Sequence, residues 1–169
     1  MANNIESILG ELLKSDAVKG ISETSGLSLD NVESVLKNAL PSLISGASKQ
    51  TTNENTKESF FAALDNHGSK DLSNLTSFFK NVDLTDGSKI ISHLLGNEKE
   101  DTSAKVAKQT GVDSKDVAKI LAVAAPLLMS VMGKKAKENK KEEKDTTASI
   151  ASQLLGNVDV SSLLKNFLK

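Results

Sequence analysis

The chain has 169 residues, 38% of them hydrophobic but only 3% aromatic, with no Trp, no Tyr and no Cys. That is length for one domain or two small ones, with a core packed from aliphatic side chains, which suits helices better than sheets. The lack of cysteine excludes a disulfide framework, a thiolate metal site and a cysteine nucleophile.

The net charge of −1 is unevenly spread. Residues 1–100 carry 9 Lys against 14 acids, and residues 101–169 carry 12 Lys against 8 acids. All 21 basic residues are lysine. The guanidinium fork favoured for phosphate and guanine recognition is therefore missing, which counts against nucleic acid as a partner.

The N-terminus, MANNIESILGELLK, has no basic stretch followed by an apolar run and a cleavage site, so a cytoplasmic location is expected. Residues 3–13 read as a helix with Ile5, Ile8, Leu9, Leu12 and Leu13 on one face. The stretch beginning at Ile21, ISETSGLSLDNVESVLKNALPSLISGASK, reads as a short helix, a turn at Gly26 and a long helix capped by Ser28. Its apolar stripe is Val32, Val35, Leu36, Ala39, Leu40, Leu43, Ile44 and Ala47. Pro41 falls well inside that helix. It removes one backbone hydrogen bond, which predicts either a kink near residues 37–41 or two helices broken at the proline.

SKQTTNENTK (48–57) is expected to be a polar linker. KESFFAALDNHG predicts a helix ended by Gly68, and DLSNLTSFFKNV a short helix ended before Asp83. A further helix is expected to begin at Asp86 and run through Ile90, Ile91, Leu94 and Leu95 to a stop at Gly96. The stretch from Val106, VAKQTGVDSKDVAKILAVAAPLLMSVMGK, then aligns without a gap on the one from Ile21 at a constant offset of 85 residues. Gly111 meets Gly26, Val117 meets Val32 and Leu121 meets Leu36. Pro126 meets Pro41, and these are the only two prolines. Here Asp113 takes the cap position, and the stripe is Val117, Ile120, Leu121, Ala124, Ala125, Leu128, Met129 and Met132, with a kink expected near residues 122–126.

The fold class expected is all-α: a multihelical bundle with two pseudo-repeats, about 5–49 and 88–134, within one domain of residues 1–135. A charged linker, 136–145, and an amphipathic helical tail, 146–169, follow. No segment alternates with the period of a strand. The block ILAVAAPLLMSVM (120–132) has 13 residues where a bilayer span needs roughly 20, so it is expected to be core rather than a membrane span.

From Gly87 to Lys134 the chain also shows a recognisable order of segments: GSKIISHLLG, then VAKQTGVDSKDVAKIL, then AAPLLMSVMGK. Together with ALPSLISGASK and ALDNHG upstream, this resembles the bacterial YidB-like family of unknown function, over about residues 5–135. His93, Leu95, Gly96, Gly111 and Pro126 occupy the family's places. The lysine-rich insertion and the scarcity of glycines depart from it. The resemblance implies an all-α bacterial protein and brings no activity, cofactor or catalytic residue.

Candidate sites are few. Residues 103–122 satisfy the mask of a helix-turn-helix, which would turn Asp113, Ser114, Lys115, Ala118 and Lys119 toward a DNA groove. His67 and His93 are the only histidines; His67, in DNHGSKD beside Asp65 and Asp71, makes a turn and a poor metal site, and His93 has no second ligand nearby. NVDLTDGSK and GNVDVSS lack the spacing of a calcium loop. No P-loop, GxSxG or GxGxxG is present, so no enzyme activity and no cofactor are expected. Gly26, Pro41, Gly96, Gly111 and Pro126 are assigned structural roles. Met129 and Met132 are the candidate interaction residues, because flexible thioethers make an apolar groove adaptable. The function expected is a non-catalytic scaffold that binds a protein partner or itself. The alternative is a DNA-binding protein using 103–122.

Overall fold

A computed structural model describes residues 3–70 and 72–138. They fold into eight α-helices: α1 Asn3–Leu13, α2 Ser15–Ser25, α3 Leu29–Thr52, α4 Lys57–Gly68, α5 Leu75–Lys80, α6 Leu84–Leu95, α7 Lys99–Thr110 and α8 Ser114–Glu138, with a 3-10 turn at Gly96–Glu98. No strand occurs among the described residues, and the class is all-α and multihelical. The tail, 146–169, and most of the charged linker, 136–145, lie outside the described residues.

Local chemistry sets most of the boundaries. The Ser28 hydroxyl accepts the Asn31 N–H at 3.2 Å to start α3, and the Asp113 carboxylate accepts the Lys115 N–H at 3.0 Å to start α8. The α2 helix ends at Gly26, with φ 77° and its N–H on the Ser22 carbonyl; α7 ends at Gly111, with φ 77° and its N–H on the Ala107 carbonyl. A left-handed residue at this position closes the last turn, and glycine adopts it without a Cβ clash. The next residue folds inward at each turn: Leu27 packs against the core and Val112 is buried.

The helix α8 is the axis of the molecule. Residues 120–133 are buried on every side, where an amphipathic helix would bury one stripe. It packs against α1, α2, α3, α4, α6 and α7. Both long helices run through their prolines without interruption, so neither is broken in two.

Three helix crossings depend on glycines. Gly87 of α6 lies against the backbone of Ala122 in α8, Gly46 of α3 against the backbone of Leu94 in α6, and Gly68 of α4 against Gly133 of α8. A Cβ at any of the four would overlap its neighbour's backbone. The α2–α5 contact is similar, with the Phe79 ring seated on Gly20.

The structure corrects several expectations. The polar stretch 48–57 is not all linker, because α3 continues to Thr52. Its polar side chains find partners there: the Thr51 hydroxyl donates to the Ser48 carbonyl, and Gln50 Nε2 donates to the His93 carbonyl on α6. The α6 helix starts at Leu84 with Asp83 as its cap, not at Asp86. The Asp83 carboxylate takes the N–H groups of both Thr85 and Asp86. The α4 helix ends at Gly68 as expected, and that glycine also makes the contact with Gly133. The 13-residue count for the apolar block also understates α8. Ser114–Lys135 is long and apolar enough to cross a membrane, although 83% of its apolar window lies buried inside the fold.

Candidate functional site

Two helices flank α8 on one side. From α4, Phe60, Leu64 and Gly68 are buried, and from α6, Gly87, Ile90, Ile91, Leu94 and Leu95 are buried. Both helices pack extensively on α8, and they approach each other where His67 Nε2 lies 3.9 Å from Asp86 Oδ2. The result is a seam between α4 and α6 with α8 as its floor.

Two concavities lie along this seam. A slot of about 180 Å³ is lined by Phe60 and Ala63 of α4, Ile90 and Leu94 of α6, and Met129 of α8, with Gln50, Thr56, Ser59 and His93 at its rim. A wider polar cleft of about 710 Å³ contains His67, Lys70, Phe78, Asp86 and Lys89, and reaches α8 at Pro126. Pro126 and Met129 are three residues apart, so they lie on one face of α8. The seam thus has an apolar end at Met129, without Asp, Glu or Lys, and a charged end at Pro126.

At the charged end much of the polarity is already committed. The Asp83 carboxylate caps α6, the Asn74 side chain caps α5 through the Ser77 N–H, and Asn81 Nδ2 donates to the Ser77 carbonyl. His67 is half-buried, and burial lowers its pKa from the usual 6.5. Asp86 opposes that shift and Lys70 adds to it. No group of three His, Asp or Glu side chains among the described residues could hold a metal ion.

The residues singled out in the sequence are divided by the fold. Met129 and Met132 are both core residues, each 2% exposed, and only Met129 also lines the slot. His67 lies beside Asp86 on the neighbouring helix, and Asp71 lies outside the described residues. His93 is exposed at the slot rim. Gly26, Gly96 and Gly111 all have positive φ, and Pro41 and Pro126 are buried within α3 and α8. In the helix-turn-helix segment, Asp113, Ser114, Lys115, Ala118 and Lys119 are exposed, but α8 is buried from Ile120 onward. Sequence reasoning missed Ala63, Phe60 and Asp86, whose importance arises only when α4 and α6 stand side by side.

An all-helical bundle wrapped around one buried helix, with a partly apolar seam on its surface, is the class of protein defined by these features. The chain matches the family described as "Bacterial protein of unknown function (DUF937)" over residues 7–135, and it belongs to that family. This agrees with the YidB-like resemblance read from the sequence. No curated protein and no solved structure matches it.

Proposed function

We propose that this protein is a non-catalytic, cytoplasmic helical scaffold whose working surface is the seam between α4 and α6. The observation that carries the reading is the slot over Met129. It is apolar, bounded by two helices and rimmed by polar groups without an Asp, Glu or Lys, which is the form of a groove that receives an aliphatic side chain from a docked helix. Met129 supplies an adaptable floor. The identical geometry at Gly26 and Gly111 supports reading the scaffold as two pseudo-repeats, with the seam built on the second.

The test is to fill the slot. Ala63→Trp places an indole into it from the side of α4. The full-length variant should keep the helical content and cooperative melting of the parent while losing crosslinks from position 59 at the slot rim to whatever segment occupies the slot. A variant that keeps the parent's crosslinks from position 59, within the chain or between chains, would defeat the reading.

A second reading rests on the exposed start of α8. Lys115 and Lys119 stand clear of the core just after the Gly111 turn, where a recognition helix would present side chains to DNA. An electrophoretic shift at low salt that disappears in Lys115→Glu and Lys119→Glu supports it. A shift of equal size in parent and variants, or none, removes it.

A further inference from the structure

We infer that the occupant of the seam is the protein's own C-terminal segment, residues 149–157, docking back on the chain that carries it; this rests on the seam being the working surface. The sequence SIASQLLGN (149–157) repeats KIISHLLGN (89–97) at an offset of 60 residues. Ile150, Ser152, Leu154, Leu155, Gly156 and Asn157 are identical to Ile90, Ser92, Leu94, Leu95, Gly96 and Asn97. In α6 that pattern is a helix whose Ile90, Leu94 and Leu95 are buried. The chain therefore carries a second copy of a helix already suited to an aliphatic wall.

The second copy cannot simply replace the first. Gly87 lies against the Ala122 carbonyl with no room for a Cβ, and its counterpart at the same offset is Thr147. On this proposal the segment binds beside α6 rather than in its place, and the apolar concavity there is the slot. Its chemistry fits. Residues 146–158 contain no charged side chain, and the slot, with Gln50, Thr56, Ser59 and His93 at its rim, holds no Asp, Glu or Lys. Ile150 and Leu154, one helical turn apart, supply the apolar face, and Ser149, Ser152 and Gln153 the polar one.

The reach also suffices. From Met129 to Glu138, α8 rises roughly 14 Å. The eleven residues 139–149 can span up to roughly 36–40 Å when extended, enough to double back to the slot. A tethered segment binds at an effective concentration in the millimolar range, which favours the same chain over a second copy.

The parent has no cysteine, so one engineered pair reports cleanly. Full-length protein carrying Ser59→Cys and Gln153→Cys is oxidised at low concentration and compared with Ala104→Cys/Gln153→Cys, whose first site is exposed on α7. The expected result is a disulfide within one chain, formed at least tenfold faster from position 59 than from position 104. Leu154→Asp and, separately, Ala63→Trp should abolish the preference. Equal rates from both positions overturn the inference, as does a preference that survives both substitutions. A disulfide formed only between chains overturns docking in the same chain while leaving the seam as a binding surface, so the two readings fail separately.

Discussion

Gly87 of α6 lies directly against the carbonyl of Ala122 in α8, and Ala122 is the residue four before Pro126. In a regular helix that carbonyl would accept the N–H of residue 126, which proline lacks. The proline inside α8 and the glycine inside α6 therefore meet at one point: an acceptor left without its helical donor, and a residue small enough to let the second helix come close. Gly87→Ala should lower unfolding stability by about 2–3 kcal/mol, in the upper range for overpacking a core. Gly10→Ala is the control, because a Cβ there meets nothing within 4 Å. It should gain about 0.5–1 kcal/mol from helix propensity. Urea denaturation of the two variants measures both, and equal effects would contradict the crossing.

The turns at Gly26 and Gly111 give a paired prediction. Both glycines stand at φ 77° with open space where a Cβ would be, so the cost of substitution is conformational rather than steric. Gly26→Ala and Gly111→Ala should each lose about 1–2 kcal/mol, and the corresponding Asn variants less. Chemical denaturation checks whether the two losses agree.

Ser130 offers a stabilising change. Its hydroxyl is fully buried in α8 and has no hydrogen-bond partner. A buried polar group left unpaired costs about 1–3 kcal/mol. Ser130→Ala removes the hydroxyl with little loss of volume and should raise the thermal midpoint, read by circular dichroism.

His67 makes stability depend on pH. Its folded pKa lies below the unfolded 6.5, chiefly because burial disfavours the charged ring. The unfolded chain therefore takes up a proton at a higher pH than the folded one. Stability from this group is complete above about pH 6.5 and falls as pH drops toward the folded pKa. His67→Gln should flatten the fall in unfolding free energy that the parent shows as pH drops below the unfolded value of about 6.5.

Much of the fold is legible in the sequence because the signals are local. Ser28, Asp113, Gly26 and Gly111 fix helix ends through bonds to residues two to four positions away, and the stripes of α3 and α8 follow a 3.6-residue period. What stays hidden depends on residues distant in the chain. Nothing near Gly46, Gly87 or Gly133 announces a crossing, since close approach is a property of a pair of helices. The burial of α8 on all sides is equally nonlocal. So is the seam: His67 meets Asp86, and Ala63 faces Ile90 and Leu94, only because both helices lean on α8. The polar composition of 48–57 misled for the same reason, since its helix is held by Gln50 reaching the His93 carbonyl on α6.

Docking of a helix on the α4–α6 seam, as proposed, can be trapped where it occurs. The most direct measurement is site-specific photocrosslinking in living bacteria, with a photoreactive residue in place of Ser59 at the slot rim or in place of Ala104 on the exposed face of α7. Adducts are identified by mass spectrometry of the crosslinked peptides. A helix docked on the seam gives a discrete adduct from position 59, joined to an apolar helical segment, and little from position 104. Equal, diffuse or absent crosslinking at the two positions would contradict it.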